Sequence, residues 1–455
     1  MLNSHEYLEL YYATAMAGIV MVPLNTRWQT DDVVRTLADA GAVGLVIDDH
    51  FVSAAGRLPK LPYLIFAGRR GGPPGTVAYA HADTAASFEE PLEDDVVGLF
   101  YTSGTTGGPK GVMLTHRNVW SNNLHTFAAE RVDKPVWLHA APMFHLADQA
   151  AVSLVPSAGG SHVFLPSFEP EAFMRAVQEY RVTDTALVPT MMSLLLNHPA
   201  FGQYNLSSLT SVRYGASPMP LPVLRDAMAK MPQTRFQQHY GMTETSPTIS
   251  VLAFEDHTGP AVTSVGRPAL GVEVRIVDDH DIDVPAGEIG AIIVRGANVM
   301  KGYWNRPEIT ATVLRNGWMH TGDIGQFDAD GFLYVRDREK DMIKPGGENV
   351  YSPEVESVLL THPAVLEAVV IGIPDSRWGE AIRAVVVRRP GSAVDERELI
   401  DWCRDRMTHF KCPTSVVFVD TLPKGGTGKV QKNVLREQYA LAPVFLRVAS
   451  ATANS

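Results

Sequence analysis

From Glu6 to Val251 short apolar runs alternate with stretches of helical spacing, and that rhythm narrows the choice of fold more than any other feature. Val43–Ile47, Tyr63–Phe66, Gly160–Leu165 and Thr185–Leu187 read as strands, while Glu6–Val20, Asp31–Ala40, Pro170–Tyr180 and Leu221–Met231 read as helices. Strands alternating with helices call for crossover connections and a largely parallel sheet. From Val272 the pattern becomes strand-rich, with VEVRIVDD and EIGAIIVRG separated by a Pro-Ala-Gly turn. The expectation is an α/β fold: a large multi-layer N-terminal domain with mostly parallel sheets and a β-rich subdomain, followed by a small α+β C-terminal domain.

The chain has 455 residues, 45% of them hydrophobic and 20% charged, which is ordinary for a globular protein with more than one domain. A formal charge of −11 excludes a general nucleic-acid or anionic-membrane binder. No apolar run is long enough to span a bilayer, and the start lacks the basic-then-apolar pattern of a secretory signal. Cys403 and Cys412 do not suggest a disulfide framework or a zinc site. A cytoplasmic location is the expectation.

The run YTSGTTGGPKG, from Tyr101 to Gly111, follows the apolar segment VVGLF. Its glycines let backbone approach a phosphate, and Thr102, Ser103, Thr105, Thr106 and Lys110 add hydroxyls and charge around Gly104. A Walker A loop does not fit, because Pro109 takes the place of a glycine and Gly111 that of the magnesium-binding hydroxyl. Taken alone, the run reads either as a phosphate loop or as a Gly/Thr surface loop.

In DIGQFDADGFLYVRDR, Asp328–Gly331 forms a turn between two strand-like segments, so folding the hairpin brings Asp323 close to Asp337 and Arg338. On residues alone, that pair is either a salt bridge or a polar binding site. The chain divides there, into residues 1–338 and 339–455. Beyond the division, Pro353–Leu360 and Glu396–Met407 read as helices, and Ala368–Ile373, Ile382–Val387 and Ser415–Val419 as strands.

The loop is joined, in order, by PMFH (Pro142–His145), YGMTE (Tyr240–Glu244), TGDIG (Thr321–Gly325), DREKDMIKPGGENVYSPEVE (Asp337–Glu356) and GTGKV (Gly426–Val430). This ordered set closely resembles the adenylate-forming superfamily: acyl-CoA synthetases, luciferase and peptide-synthetase adenylation domains. Within it, the chain looks most like fatty-acyl or aryl acid–CoA ligases. The resemblance implies activation of a small-molecule carboxylic acid as acyl-AMP, with ATP, Mg2+ and coenzyme A as co-substrates. It also leaves room for loading of a carrier-protein thiol, or for a non-catalytic nucleotide-binding protein.

By that resemblance, Thr102 to Thr106 and Lys110 hold the β- and γ-phosphates until pyrophosphate leaves. Gly215, Ala216 and Ser217 flank adenine opposite Tyr240. Thr243 donates to the α-phosphate and Glu244 helps bind magnesium, a hard cation suited to oxygen ligands. Asp323 and Arg338 reach the ribose. Lys429 bridges the acid and the α-phosphate, a task suited to a compact charge on a long stem. Lys340 is the hinge, and Gly346 and Gly347 belong to the thioester-forming site. His145 lies near the acyl carboxylate, although a histidine in that setting also reads as a core or helix-entry residue. Family members begin several dozen residues earlier, so a chain starting here would leave apolar surface for a second copy to cover.

Overall fold

The computed structural model describes residues 1–69, 71–79, 89–102, 109–129, 132–425 and 430–439. They fall into two compact units: Met1–Thr321 with Gly325–Val335, and Gly322–Ile324 with Arg336 onward.

The first unit opens with the helix His5–Met16, capped by Ser4, whose hydroxyl accepts from Tyr7 N at 3.3 Å. The helical spacing predicts continuation to Val20, but the helix stops at Met16. Gly18 adopts a left-handed φ of 66°, and Ile19 N turns back to Thr14 O. Helix Thr30–Ala40 ends the same way, on Gly41 at φ 65°. Strands Gly44–Ile47, Tyr63–Phe66 and Val77–Ala78 then form a small parallel sheet.

Strands Val96–Thr102 and Lys110–Thr115 are antiparallel partners. Thr115 caps the helix His116–Ala129: its hydroxyl accepts from Asn118 N, while Asn118 Oδ1 accepts from Thr115 N.

A central sheet of seven strands follows. Its order is Arg267–Pro268, Thr248–Leu252, Arg235–Gly241, Ser211–Gly215, Asp184–Leu187, Val136–His139 and Ser161–Phe164. The last five are mutually parallel, and the first two close one edge antiparallel. The mostly parallel sheet read from the alternation is therefore present. One face packs Leu138, Leu187, Val212, Tyr214 and Phe236 against helices Pro170–Tyr180, Pro189–Leu196 and Leu221–Lys230. On the other, Ala151 and Val155 of helix Leu146–Ser157 lie on Trp137 and Ala186.

The strand-rich portion pairs Val272–Val277 with Gly290–Gly296 antiparallel. Trp318–Phe327 pairs with Leu333–Arg338 across the turn at Asp328, whose Oδ1 accepts from the Asp330 and Phe332 amides.

In the second unit, long strands Val365–Asp375 and Gly379–Arg388 are antiparallel, and Ser415–Phe418 adds a parallel third. Helices Ser352–Leu360 and Glu396–Arg404 bury Val355, Leu359, Leu399 and Cys403 in one core, and helix Lys432–Tyr439 buries Leu435 in another. The helix expected to reach Met407 ends at Arg404.

Candidate active site

The loop motif begins and ends on one hairpin, with Tyr101 opposite Gly111 and Thr102 opposite Lys110. Ser103, Gly104, Thr105 and Thr106 lie outside the described residues. This geometry gives a physical reason for the failed Walker pattern. In a P-loop the lysine opens a helix whose N-terminus faces the phosphates. Here Lys110 opens a strand that returns along its partner, so side chains must supply what a helix end would provide.

Lys110 Nζ lies 5.3 Å from the centre of the Tyr303 ring. The Tyr303 hydroxyl donates to Glu244 Oε1 at 2.8 Å, and Met300 N donates to the Glu244 carbonyl at 2.9 Å. Pairing of Gly302–Tyr303 with Met113 and Val112 holds that ring beside the loop's second strand. Lys110 and Glu244, from motifs far apart in the chain, therefore meet at one tyrosine that the motif reading overlooked. The only sequence signal for it is an aromatic pair, Tyr303-Trp304, after a glycine. Asp39 braces the same corner: its carboxylate accepts from Tyr101 Oη at 2.6 Å and from Arg306 Nη2 at 2.8 Å, and its carbonyl from Trp304 Nε1 at 3.0 Å.

Gly215, Ala216, Ser217 and Tyr240 to Glu244 gather at the C-terminal ends of two adjacent parallel strands, the edge where open α/β sheets bind ligands. A Cβ on Gly215 would sit 2.2 Å from His239 O, and one on Gly241 would sit 1.8 Å from Pro247 O, so backbone crowding excludes side chains at both. Ala216 adopts φ 65°. A register shift between Tyr240 and Gly241 bends the chain into the short turn Thr243–Thr245 that carries Thr243 and Glu244.

His145 caps helix Leu146–Ser157, its Nδ1 accepting from Ala147 N at 3.3 Å, which matches the helix-entry reading. Asn3 and Tyr11 hold the approach to it. Asn3 Nδ2 donates to His139 O and Ala141 O, Asn3 Oδ1 accepts from Met143 N, and Tyr11 Oη donates to Met143 O.

Beneath that loop lies a buried relay absent from the sequence reading. A carboxylate can only accept, so His139 Nδ1 donates to Asp148 Oδ2 at 2.5 Å. His139 Nε2 is 2.8 Å from His162 Nδ1. Burial, helped by His139, pushes the His162 imidazole down to about 4, so it is neutral near pH 7.

In the second unit Arg338 Nε lies 3.2 Å from Asp323 Oδ1, and Asp323 is buried. Asp337, instead of joining that pair, accepts from Ser352 N and Ser352 Oγ at 2.7 Å each, while burial raises its carboxyl above the usual range. Burial lowers the Lys340 amine, against an opposing pull from Asp341. Gly346 and Gly347 both have positive φ, 63° and 91°, and Gly346 N donates to Trp378 O. Lys429 lies outside the described residues. The chain next to it is fixed: Lys424 bridges Val430, and Lys432 Nζ reaches Ser352 Oγ at 2.5 Å and Glu356 Oε1 at 2.8 Å.

The AMP-binding enzyme model matches residues 1–304, and the model of the AMP-binding enzyme C-terminal domain matches 354–429. The chain belongs to the AMP-binding enzyme family. A feruloyl-CoA synthase of an Amycolatopsis species is 41% identical over 449 residues, covering 96% of this chain and 87% of that protein. A long-chain-fatty-acid–CoA ligase of Mycobacterium tuberculosis is 34% identical, with the same coverage of both. ATP-bound MatB from Rhodopseudomonas palustris superposes with a TM-score of 0.87 at 34% identity, over 97% of this chain and 88% of that one. This AMP-binding enzyme is accordingly an AMP-forming acid–thiol ligase, working through an acyl-adenylate.

Proposed function

We propose that the enzyme joins a fatty or aryl carboxylic acid to coenzyme A. The observation that carries this reading is the link Lys110–Tyr303–Glu244 at the strand ends beside Gly215 and Tyr240. A carboxylate is a weak nucleophile of the same charge as the triphosphate it must attack, so the site has to offset repulsion and align the atoms. Lys110 and the hydroxyls of Thr102 to Thr106 hold the departing phosphates. Tyr240 and the Gly215–Ser217 backbone hold adenine, and Thr243 donates to the α-phosphate.

Glu244 would hold magnesium: the Tyr303 hydroxyl orients one carboxylate oxygen, and a carboxylate is the kind of oxygen donor a hard cation prefers. That cation supplies charge neutralisation when bound. Asp323 and Arg338 hold the ribose, Lys429 bridges the acid and the α-phosphate, and His145 borders the acyl carboxylate. Lys340 is the hinge between half-reactions, and Gly346 and Gly347 serve thioester formation. Among the described residues no helix is long and apolar enough to cross a membrane, and both cysteines are buried free thiols, which supports a cytoplasmic enzyme.

Product analysis with MgATP and a panel of acids tests the reading. Acyl-CoA and AMP formed only when coenzyme A is present are expected. Loading of a carrier-protein thiol without turnover of coenzyme A would redirect it, and ATP binding without pyrophosphate release from any acid would sink it. Lys429→Ala should cut adenylation by about 100-fold or more while sparing thioester formation from supplied acyl-AMP; equal loss in both would remove its role.

A further inference from the structure

The acid is activated beside Tyr240 and Thr243, so its acyl group has to lie against neighbouring protein. His239 immediately precedes Tyr240 and pairs with Gly215, and Gln237 lies two residues further in, paired with Arg213. Strand alternation puts His239 and Gln237 on one face, the side of Trp137 and Ala186 that helix Leu146–Ser157 covers. That helix is the one His145 caps. Gln237 is 2% exposed, yet its Oε1 has no hydrogen-bond partner, and neither does the buried His239 Nε2. Burial, with the nearby Arg213 charge, pushes His239 down to about 3, so it stays a neutral imidazole.

Buried polar atoms are nearly always paired, and two orphans on one face next to a ligand cradle point to a ligand group that pairs them. We propose that Gln237 and His239 are specificity-determining residues of the acyl site, selecting acids that carry an uncharged hydroxyl, phenolic or aliphatic, over the same acids without it. A hydroxyl donates to Gln237 Oε1 and accepts from His239 Nε2–H, which the Nε2-protonated tautomer of the neutral imidazole supplies. A plain hydrocarbon leaves both atoms buried and unmet. The inference rests on the acid–thiol ligase reading.

The test measures pyrophosphate release with MgATP for matched pairs: 4-hydroxycinnamate against cinnamate, and 8-hydroxyoctanoate against octanoate. At least one hydroxylated acid should show a kcat/KM about tenfold or more above its partner. In Gln237→Leu and, separately, His239→Phe, that ratio should collapse toward one because the hydroxylated acid loses more than its plain partner. A merely structural role would lower both members of the pair together. Equal rates within both pairs, preference for a dicarboxylate, or an unchanged ratio in two folded variants would overturn the proposal. Pyrophosphate from no acid at all would instead overturn the ligase reading beneath it, so the two failures are distinguishable.

Discussion

The two faces of the central sheet are built from the same strands and obey different rules. On one, Leu138, Leu187, Val212 and Phe236 meet three helices in a large apolar cluster, and the buried polar groups of Thr185 and Tyr214 on it are paired. Thr185 Oγ1 donates to Leu138 O, and Tyr214 Oη lies 3.0 Å from His257 Nε2. On the other face lie Trp137, His139, His162, Arg213, Gln237 and His239, and the side chains of Gln237, His239 and His162 keep a buried polar atom without a partner. Such an atom costs about 1–3 kcal/mol. A face that tolerates this is not optimised for stability, and it ends at Gly215 and Tyr240, where the proposed adenylate site lies. The apolar face holds the sheet together, while the polar face borders the proposed site.

The largest expected effect is on the apolar side. Phe236→Ala should cost about 3–5 kcal/mol, read from the urea midpoint, with kcat per folded molecule retained. Loss of activity without loss of stability there would break the contrast between the faces. Next comes the relay: Asp148→Ala leaves His139 Nδ1 buried without an acceptor and should cost about 1–3 kcal/mol, partly recovered by His139→Leu in the same chain. Failure of the second change to compensate would show that loss of the His139–His162 contact outweighs removal of the orphan.

A pH series sharpens the comparison further. The His162 and His239 imidazoles are held below the usual histidine value of about 6.5, so unfolding takes up protons as the medium acidifies. Their contribution is complete above about pH 6.5 and is lost as pH falls toward about 4 for His162 and about 3 for His239. Denaturant midpoints for His162→Phe should therefore fall less steeply from pH 6.5 to 4 than those of the parent chain; parallel curves would contradict the assignment. The smallest loss is expected at Gln237→Leu, where removing the orphan acceptor lifts its penalty, so stability should hold or rise by up to about 1–3 kcal/mol. A loss would mean that Gln237 is a packing residue.

Helix Pro170–Tyr180 was legible because every local signal agreed: a proline near its start, Glu169 accepting from the Glu171 and Ala172 amides, and an apolar stripe. The hairpin at Asp328 was legible because turn chemistry is local. Helices Leu146–Ser157 and Pro189–Leu196 escaped the reading, because each is buried along most of its length and shows no polar stripe. Strand Val136–His139 escaped because His139 looks like a surface residue until Asp148 is placed beside it.

By itself the sequence determined the elements with clear period and caps, the order of the motifs and the family they belong to. Each depends on neighbours within a few residues or on an ordered set of short words. Tertiary structure alone decided that Lys110 leaves on a returning strand, that Tyr303 joins it to Glu244, and that Asp39 reaches Arg306 from the far end of the unit. It also decided which face of the central sheet would be polar. Burial and hydrogen-bond partners are set by where distant segments cross, and no local pattern of side chains carries that information.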